Sequence, residues 1–282
     1  MQTLLAILII VVIVGVAALW AKRRLEALPS RKKKALLKKT INDVFCWFED
    51  HGLLAQTHAF NRDYLTIYPR LQELEENHAL VQQECVQLLE IKENLTDMAA
   101  MGGTYTKAGI HTASWKTFMF KSGKFVEENC GRCPQTAALL RKIPGLYTAF
   151  FSVLEPHQRL TPHWGYYKGF QRYHLGVLIP DNNEDRSCYL RINADPEDNA
   201  QRDPSLVEKG ESYYWKNGEG ILFDDNYLHD AANLSDQVRV ILWLDLRRKM
   251  PFYLQVFNML CLFIAHGDSS VKKIRDNAII RT

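Results

Sequence analysis

The chain has 282 residues, 47% hydrophobic and 24% charged, enough to bury a sizeable core and too apolar for a disordered polymer. Its formal charge of +3 joins two unlike parts: Lys22–Lys39 holds nine Lys or Arg against one Glu, so the remainder is mildly acidic. That distribution excludes a nucleic-acid-binding body, and six scattered cysteines exclude a dense disulfide framework.

Taken in chain order, the first element is Leu4–Ala21, LLAILIIVVIVGVAALWA, 18 residues without a charge. A hydrocarbon core takes about 20 apolar residues, so this run is just long enough to span it. Nothing basic precedes it, and Lys22, Arg23 and Arg24 follow. This predicts an uncleaved single-pass anchor with Trp20 at the interface rather than a signal peptide. Positive flanks stay on the cytosolic side, which places the body in the cytosol, at the inner membrane if the source is bacterial. The arm Lys22–Lys39 then lies on an anionic membrane surface.

From Lys33 to Leu95 apolar residues recur at three- and four-residue spacing, which predicts helices, with Gly52 as a stop. MAAMGG, Met98–Gly103, reads as a connector. After Ser114 short β-rich runs follow one another: WKTFMF, YTAFFSVL, YHLGVLIP, CYLRIN, SYYW, GILFDD and RVILWLDL, interrupted by one helix, CPQTAALLRKIPG. Seven such strands predict a sandwich or barrel. The polar stretch between Asn193 and Ser212 reads as a surface insertion. Cys130 and Cys133 form a lone C-x-x-C with no second Cys/His pair, so they read as structural. Pro251–Asp268 predicts a terminal helix, too short for a second span, that either lies at a membrane interface or packs on the body. The expected divisions are an anchor at 1–21, a polybasic arm at 22–40, a helical region at 41–106, a β domain at 107–250 and a tail at 251–282.

The chemistry concentrates in two places. His163, Arg172 and His174 stand within TPHWGYYKGFQRYHLGVLIP. His229 closes GILFDDNYLHD 66 residues after His163. Two histidines on adjacent strands of a small barrel can converge on one metal. Non-haem Fe(II) oxygenases use two histidines and a carboxylate on one face. The carboxylate usually stands two residues after the first histidine, where this chain has Gly165. From spacing alone iron, zinc and a structural pair remain open. Asp224 and Asp225 read equally well as partners orienting ligands or arginines and as a strand-end turn.

The combined pattern HWG…FQRYHLGVLIP…GEGILFDDNYLHDAANLSDQVRVILWLD resembles the aspartyl/asparaginyl β-hydroxylase family of Fe(II)/2-oxoglutarate dioxygenases. The likeness covers roughly half of the chain, from Trp115 to Asp245. It implies a mainly β fold with flanking helices, a double-stranded β-helix of the jelly-roll or cupin kind, behind the N-terminal transmembrane helix. It implies His163 and His229 as iron ligands, and Gly165 where the carboxylate is missing, with water in its place. It further implies Arg172, His174, Arg239, Ser152 and Trp115 as contacts to 2-oxoglutarate, Arg239 taking the distal carboxylate. O2 completes the co-substrates. The family includes hydroxylases of Asp/Asn side chains in proteins or peptides and bacterial hydroxylases of lipid A acyl chains. The anchor, the basic arm and the tail favour an anionic membrane glycolipid such as lipid A, with a peptide as the alternative. A non-catalytic membrane-tethered β-helix module is the reading from a different class.

Overall fold

The computed structural model describes residues 30–91, 95–98, 113–165, 167–266, 274 and 276–280. The expected anchor Leu4–Ala21 and the first part of the basic arm lie outside the described residues, as does most of the Met98–Gly103 connector. Among the described residues no helix is long and apolar enough to cross a membrane. The chain divides into two compact units, Met1–Gln56 with Met250–Leu260, and Thr57–Lys249 with Cys261–Thr282.

In the first unit, the helix Ser30–Asp50 ends just before Gly52, whose φ of 67° is left-handed backbone that glycine adopts without steric cost. Phe45 is fully buried and meets Phe257 edge-on with ring centroids 5.7 Å apart. Tyr253 donates from its hydroxyl to the Leu53 carbonyl at 3.4 Å.

Among the described residues the second unit has twelve strands: β1 (Phe60–Asn61), β2 (Thr96–Asp97), β3 (Trp115–Ser122), β4 (Lys124–Phe125), β5 (Leu146–Leu154), β6 (Gln158–His163), β7 (Phe170–Leu178), β8 (Cys188–Asn193), β9 (Glu211–Tyr214), β10 (Gly220–Phe223), β11 (Leu228–Asn233) and β12 (Arg239–Arg247). One sheet runs β1-β10-β7-β12-β5-β3-β2, with β4 on β3, and the other runs β6-β11-β8-β9. From β5 to β12 the chain passes from one sheet to the other at every step except β8 to β9, which are neighbours in the smaller sheet; this is the winding of a double-stranded β-helix.

The near-continuous apolar strands follow from burial on both faces of the larger sheet. On β12, Val240, Leu242, Leu244 and Leu246 pack with Leu71, Val81, Leu88 and Leu140 of the helices Leu71–Glu76, His78–Leu89 and Pro134–Arg141. The alternate residues Ile241 and Trp243 turn inward and pack with Leu190 and Ile192 of the smaller sheet. Burying a Leu or Val side chain contributes about 1.5–3 kcal/mol, so this outer helical layer makes a large contribution to holding the barrel wall. Glu84, itself buried, accepts from the Gln135 and Thr136 amides at 2.9 and 2.8 Å and so caps the helix Pro134–Arg141.

The seven expected strands are present as β3, β5, β7, β8, β9, β10 and β12. Two more strands, β6 and β11, carry the histidines. His163 ends β6 rather than merely preceding an apolar strand, and His229 lies on β11, separated from β10 by the Asp224–Tyr227 turn. Pro162 is tolerated because β6 is an edge strand. The Cys130 and Cys133 thiols are buried in the helix-side core, and burial pushes them up to about 11 and about 12. That is the opposite of an activated thiol.

Candidate metal and co-substrate site

His163 and His229 are paired residues across the β6–β11 ladder, with ring centroids 4.2 Å apart. The two rings are held the same way. His163 Nδ1 lies 2.6 Å from the Thr161 carbonyl, and His229 Nδ1 lies 2.8 Å from the Tyr227 carbonyl. A carbonyl only accepts, so each Nδ1 carries the proton and each Nε2 keeps its lone pair. Burial lowers the His163 pKa to about 4, the nearby Arg172 charge adding to the effect. Burial likewise holds His229 well below the usual histidine value, with His163 and Arg172 contributing. Two neutral imidazoles with fixed tautomers are what a divalent transition metal takes as ligands.

Among the described residues no third His, Cys, Asp or Glu joins them. Gly165 explains why the usual position cannot supply one. Its amide donates to the Asp225 carbonyl at 2.6 Å, and a Cβ built on it would meet that oxygen at 2.6 Å and Asp225 Oδ2 at 2.5 Å. Asp225 is in turn held by Arg172, Nη1 to Oδ2 at 2.7 Å, while Arg172 Nε donates to Asp245 Oδ1 at 2.9 Å. Arg172 also lies 4.0 Å over the Trp243 ring. Burial pushes the Asp225 carboxyl up to about 7, with Arg172 opposing and Asp245 and Asp224 reinforcing the shift. The two acids before His229 therefore part company. Asp225 orients an arginine, and Asp224 pins a turn by accepting from Thr57 and from Asn226.

All seven residues expected from the sequence, Trp115, Ser152, His163, Arg172, His174, His229 and Arg239, line one cavity between the sheets. Arg239 is 1% exposed, and its Nε and Nη1 have no hydrogen-bond partner. Its guanidinium lies 4.7 Å over the Trp215 ring, and burial pulls its pKa below the usual arginine range. A buried cation with no counter-charge costs several kcal/mol, so this end of the cavity is built for an anion. Beside it, Trp115 Nε1 donates to Ser152 Oγ at 2.8 Å, which leaves the Ser152 hydroxyl proton available. His174 also has both ring nitrogens unpartnered, and burial keeps it neutral, with Arg172 and Arg239 helping to repel a proton. Two histidines with open lone pairs and a buried unpaired guanidinium in one cavity fit a metal together with a keto acid bearing a distal carboxylate.

Trp215, Trp243 and Asp245 are not among the residues expected from the sequence, yet the first two line the cavity and the third holds Arg172. The last two share strand parity with Arg239 on β12, so period-two counting identifies them as inward-facing. No comparable local signal marks Trp215.

Residues 75–249 match the aspartyl/asparaginyl beta-hydroxylase family. An ornithine lipid ester-linked acyl 2-hydroxylase of Rhizobium tropici is 30% identical over 211 residues, covering 74% of this chain and 68% of the relative. Aspartate beta-hydroxylase domain-containing protein 2 of Mus musculus is 32% identical over 145 residues, covering 48% of this chain and 36% of the relative. Among solved structures, the non-heme alpha ketoglutarate dependent carbocyclase SnoK from nogalamycin biosynthesis aligns at 15% identity and a TM-score of 0.40, over 61% of this chain and 75% of that one. A Pseudomonas putida prolyl-4-hydroxylase aligns at 12% identity and a TM-score of 0.35, over 61% and 88%. The fold assignment rests on the strand order rather than on these distant alignments. The chain belongs to the aspartyl/asparaginyl β-hydroxylase family, a family of hydroxylases.

Proposed function

We propose that this chain is an Fe(II)/2-oxoglutarate-dependent hydroxylase that acts on an acyl chain of a membrane lipid. The observation that carries the reading is the single cavity holding two Nε2 lone pairs, on His163 and His229, and the unpartnered Arg239 guanidinium. Iron and 2-oxoglutarate, bound there with O2, supply the oxidant that hydroxylates an unactivated C–H bond.

The residues of this chain do the holding. His163 and His229 ligate the metal as neutral imidazoles, and their backbone carbonyl partners fix the rings. Arg239 presents its fork to the distal carboxylate of the keto acid, and Ser152 adds a hydroxyl donor. Arg172 reaches the cavity with Asp225 and Asp245 already on it, so it sets position as much as it binds. Trp215, Trp243 and Phe223 exclude water from the closed end. No acid–base dyad or nucleophile is required.

Three features support a lipid substrate. The Rhizobium relative is named for acyl 2-hydroxylation of a lipid. The N-terminal apolar run and the arm Lys22–Lys39 suit a membrane anchor on an anionic surface. On the helix Phe252–His266, Leu254 and Asn258 are buried, whereas Phe252, Val256, Met259 and Leu260 are exposed on one face. We take the body to face the cytosol and the substrate to be a polar membrane lipid, lipid A being the one expected from sequence. Mass spectrometry of lipids from cells with and without the chain tests this. A gain of one oxygen on an acyl chain, lost in His163→Ala and His229→Ala, is expected. Unmodified lipids beside a hydroxylated Asp-containing peptide would overturn the substrate assignment.

A further inference from the structure

His163 stands where the β6–β11 ladder is interrupted. β6 is an edge strand, and Pro162 has no amide hydrogen to give. The pairing steps from Leu160 opposite Ala231 directly to His163 opposite His229, so β6 carries one residue more than β11 across Thr161 and Pro162. Such a bulge breaks the local ladder and re-aims the side chain beside it. Among the described residues no third His, Cys, Asp or Glu joins the two histidines. The seat of an ion therefore depends on how firmly these two rings are held relative to each other.

The insertion between β8 and β9 supplies a brace. It contains a helix, Pro196–Gln201, capped by the Asp195 side chain, which accepts from the Asp198 amide at 2.9 Å. From that helix Asn199 Oδ1 accepts from Trp164 Nε1 at 2.9 Å and from the Leu228 amide at 2.8 Å. Trp164 follows His163 and Leu228 precedes His229, so one oxygen ties together the neighbours of both candidate ligands. Asn199 Nδ2 donates in turn to the Asn193 and Asp195 carbonyls, both at 2.8 Å. Two N–H groups face the oxygen and two carbonyls face the nitrogen, which fixes the orientation of the amide and uses its full capacity. Its footing is itself tied down. The buried Asn193 side chain donates to Asp198 Oδ2 at 2.9 Å and to the Leu206 carbonyl at 2.7 Å, and Lys209 Nζ lies 2.9 Å from Asp198 Oδ1.

We propose that Asn199 is a positioning residue for the metal site: it fixes the backbones that carry His163 and His229 relative to each other and so preserves the ring arrangement that a single ion needs. This role rests on the reading of His163 and His229 as iron ligands above. Asn199 lies outside the lining of the metal cavity, so it acts only through Trp164 and Leu228.

The test is titration of cobalt(II) into the full-length protein in nonionic detergent with 2-oxoglutarate present. The visible absorption of the bound ion reports its ligands and geometry. The native chain is expected to bind one ion, and His229→Ala to lose it. Asn199→Ala should weaken binding about tenfold or more and alter the band, as removal of groups that orient metal ligands does. Trp164→Phe removes one of the two ties. It should cost less in the native chain and nothing further in Asn199→Ala, because both changes break the same hydrogen bond. Asp203→Ala is the control within the insertion: Asp203 Oδ1 accepts only from the Ser205 amide and hydroxyl, at 2.9 and 2.8 Å. It should lower the melting temperature and leave the cobalt affinity and band unchanged. A native cobalt response in Asn199→Ala overturns the positioning role. An equal weakening in Asp203→Ala does the same, since the insertion would then serve only the fold. Where Asn199→Ala does not fold, a native response in Trp164→Phe is the overturning result. A native chain that binds cobalt no better than His229→Ala overturns the ligand reading, and the positioning role with it; loss of the role alone leaves native binding intact.

Discussion

The Gly165 amide and the Asp225 carbonyl meet at 2.6 Å, and the Asp225 side chain fills the space into which a residue at 165 would grow. The missing carboxylate is therefore a consequence of packing as well as of sequence. Gly165→Asp is expected to lose turnover rather than gain a third ligand. Gly165→Ala is expected to lower stability by about 1–3 kcal/mol, the usual cost of overpacking. Urea unfolding and succinate formation measure the two effects. A Gly165→Asp enzyme faster than the native one would contradict this geometry.

Arg239 makes an unusual prediction because its charge is buried without a partner. Arg239→Met is expected to leave the co-substrate-free protein as stable as before, or more stable by about 1 kcal/mol or more. The same variant should lose the rise in melting temperature that 2-oxoglutarate gives the native chain. A destabilised variant that still responds to 2-oxoglutarate would show that the guanidinium serves the fold and not the co-substrate.

Arg172 behaves in the opposite way, since two acids depend on it. Arg172→Ala strands Asp225 and Asp245 in the interior and is expected to cost about 3–5 kcal/mol in urea unfolding. Asp245→Asn should cost less, because Asp225 still balances the arginine. A loss below about 1 kcal/mol in Arg172→Ala would mean that the cluster is hydrated and weak.

His174 links the site to pH. Burial and two arginines depress its folded pKa well below the unfolded value. The unfolded chain therefore takes up a proton first as pH falls, and stability is lost below about pH 6.5. One such group contributes a slope of about 1.4 kcal/mol per pH unit. Unfolding of the metal-free protein followed from pH 7 down to 5 should lose about that much of its slope in His174→Phe, the remainder coming from His163 and His229. An unchanged slope would place His174 in contact with water.

How much was legible in advance depends on what each residue leans on. Arg239, Arg172 and His174 lie on β12 and β7, whose apolar runs announce a strand buried on both faces. The two strands that carry His163 and His229, QRLTPH and LHDAAN, lack that signature, and their pairing is imposed by neighbours: β11 is held between β6 and β8. Asp224 and Asp225 are adjacent and chemically identical, and only the fold separates the turn pin from the arginine partner. Asn199 lay in a segment read as surface, since an amide 29 residues from Leu228 carries no periodic signal.

The measurement that bears most directly on the central claim is a stoichiometric assay of the purified full-length chain with Fe(II), 2-oxoglutarate, O2 and a polar membrane lipid extract. One succinate is expected for each oxygen gained by an acyl chain, with both products abolished in His229→Ala and restored by no other divalent ion. Succinate and lipid oxygen both absent from the native chain under iron-replete conditions would contradict it.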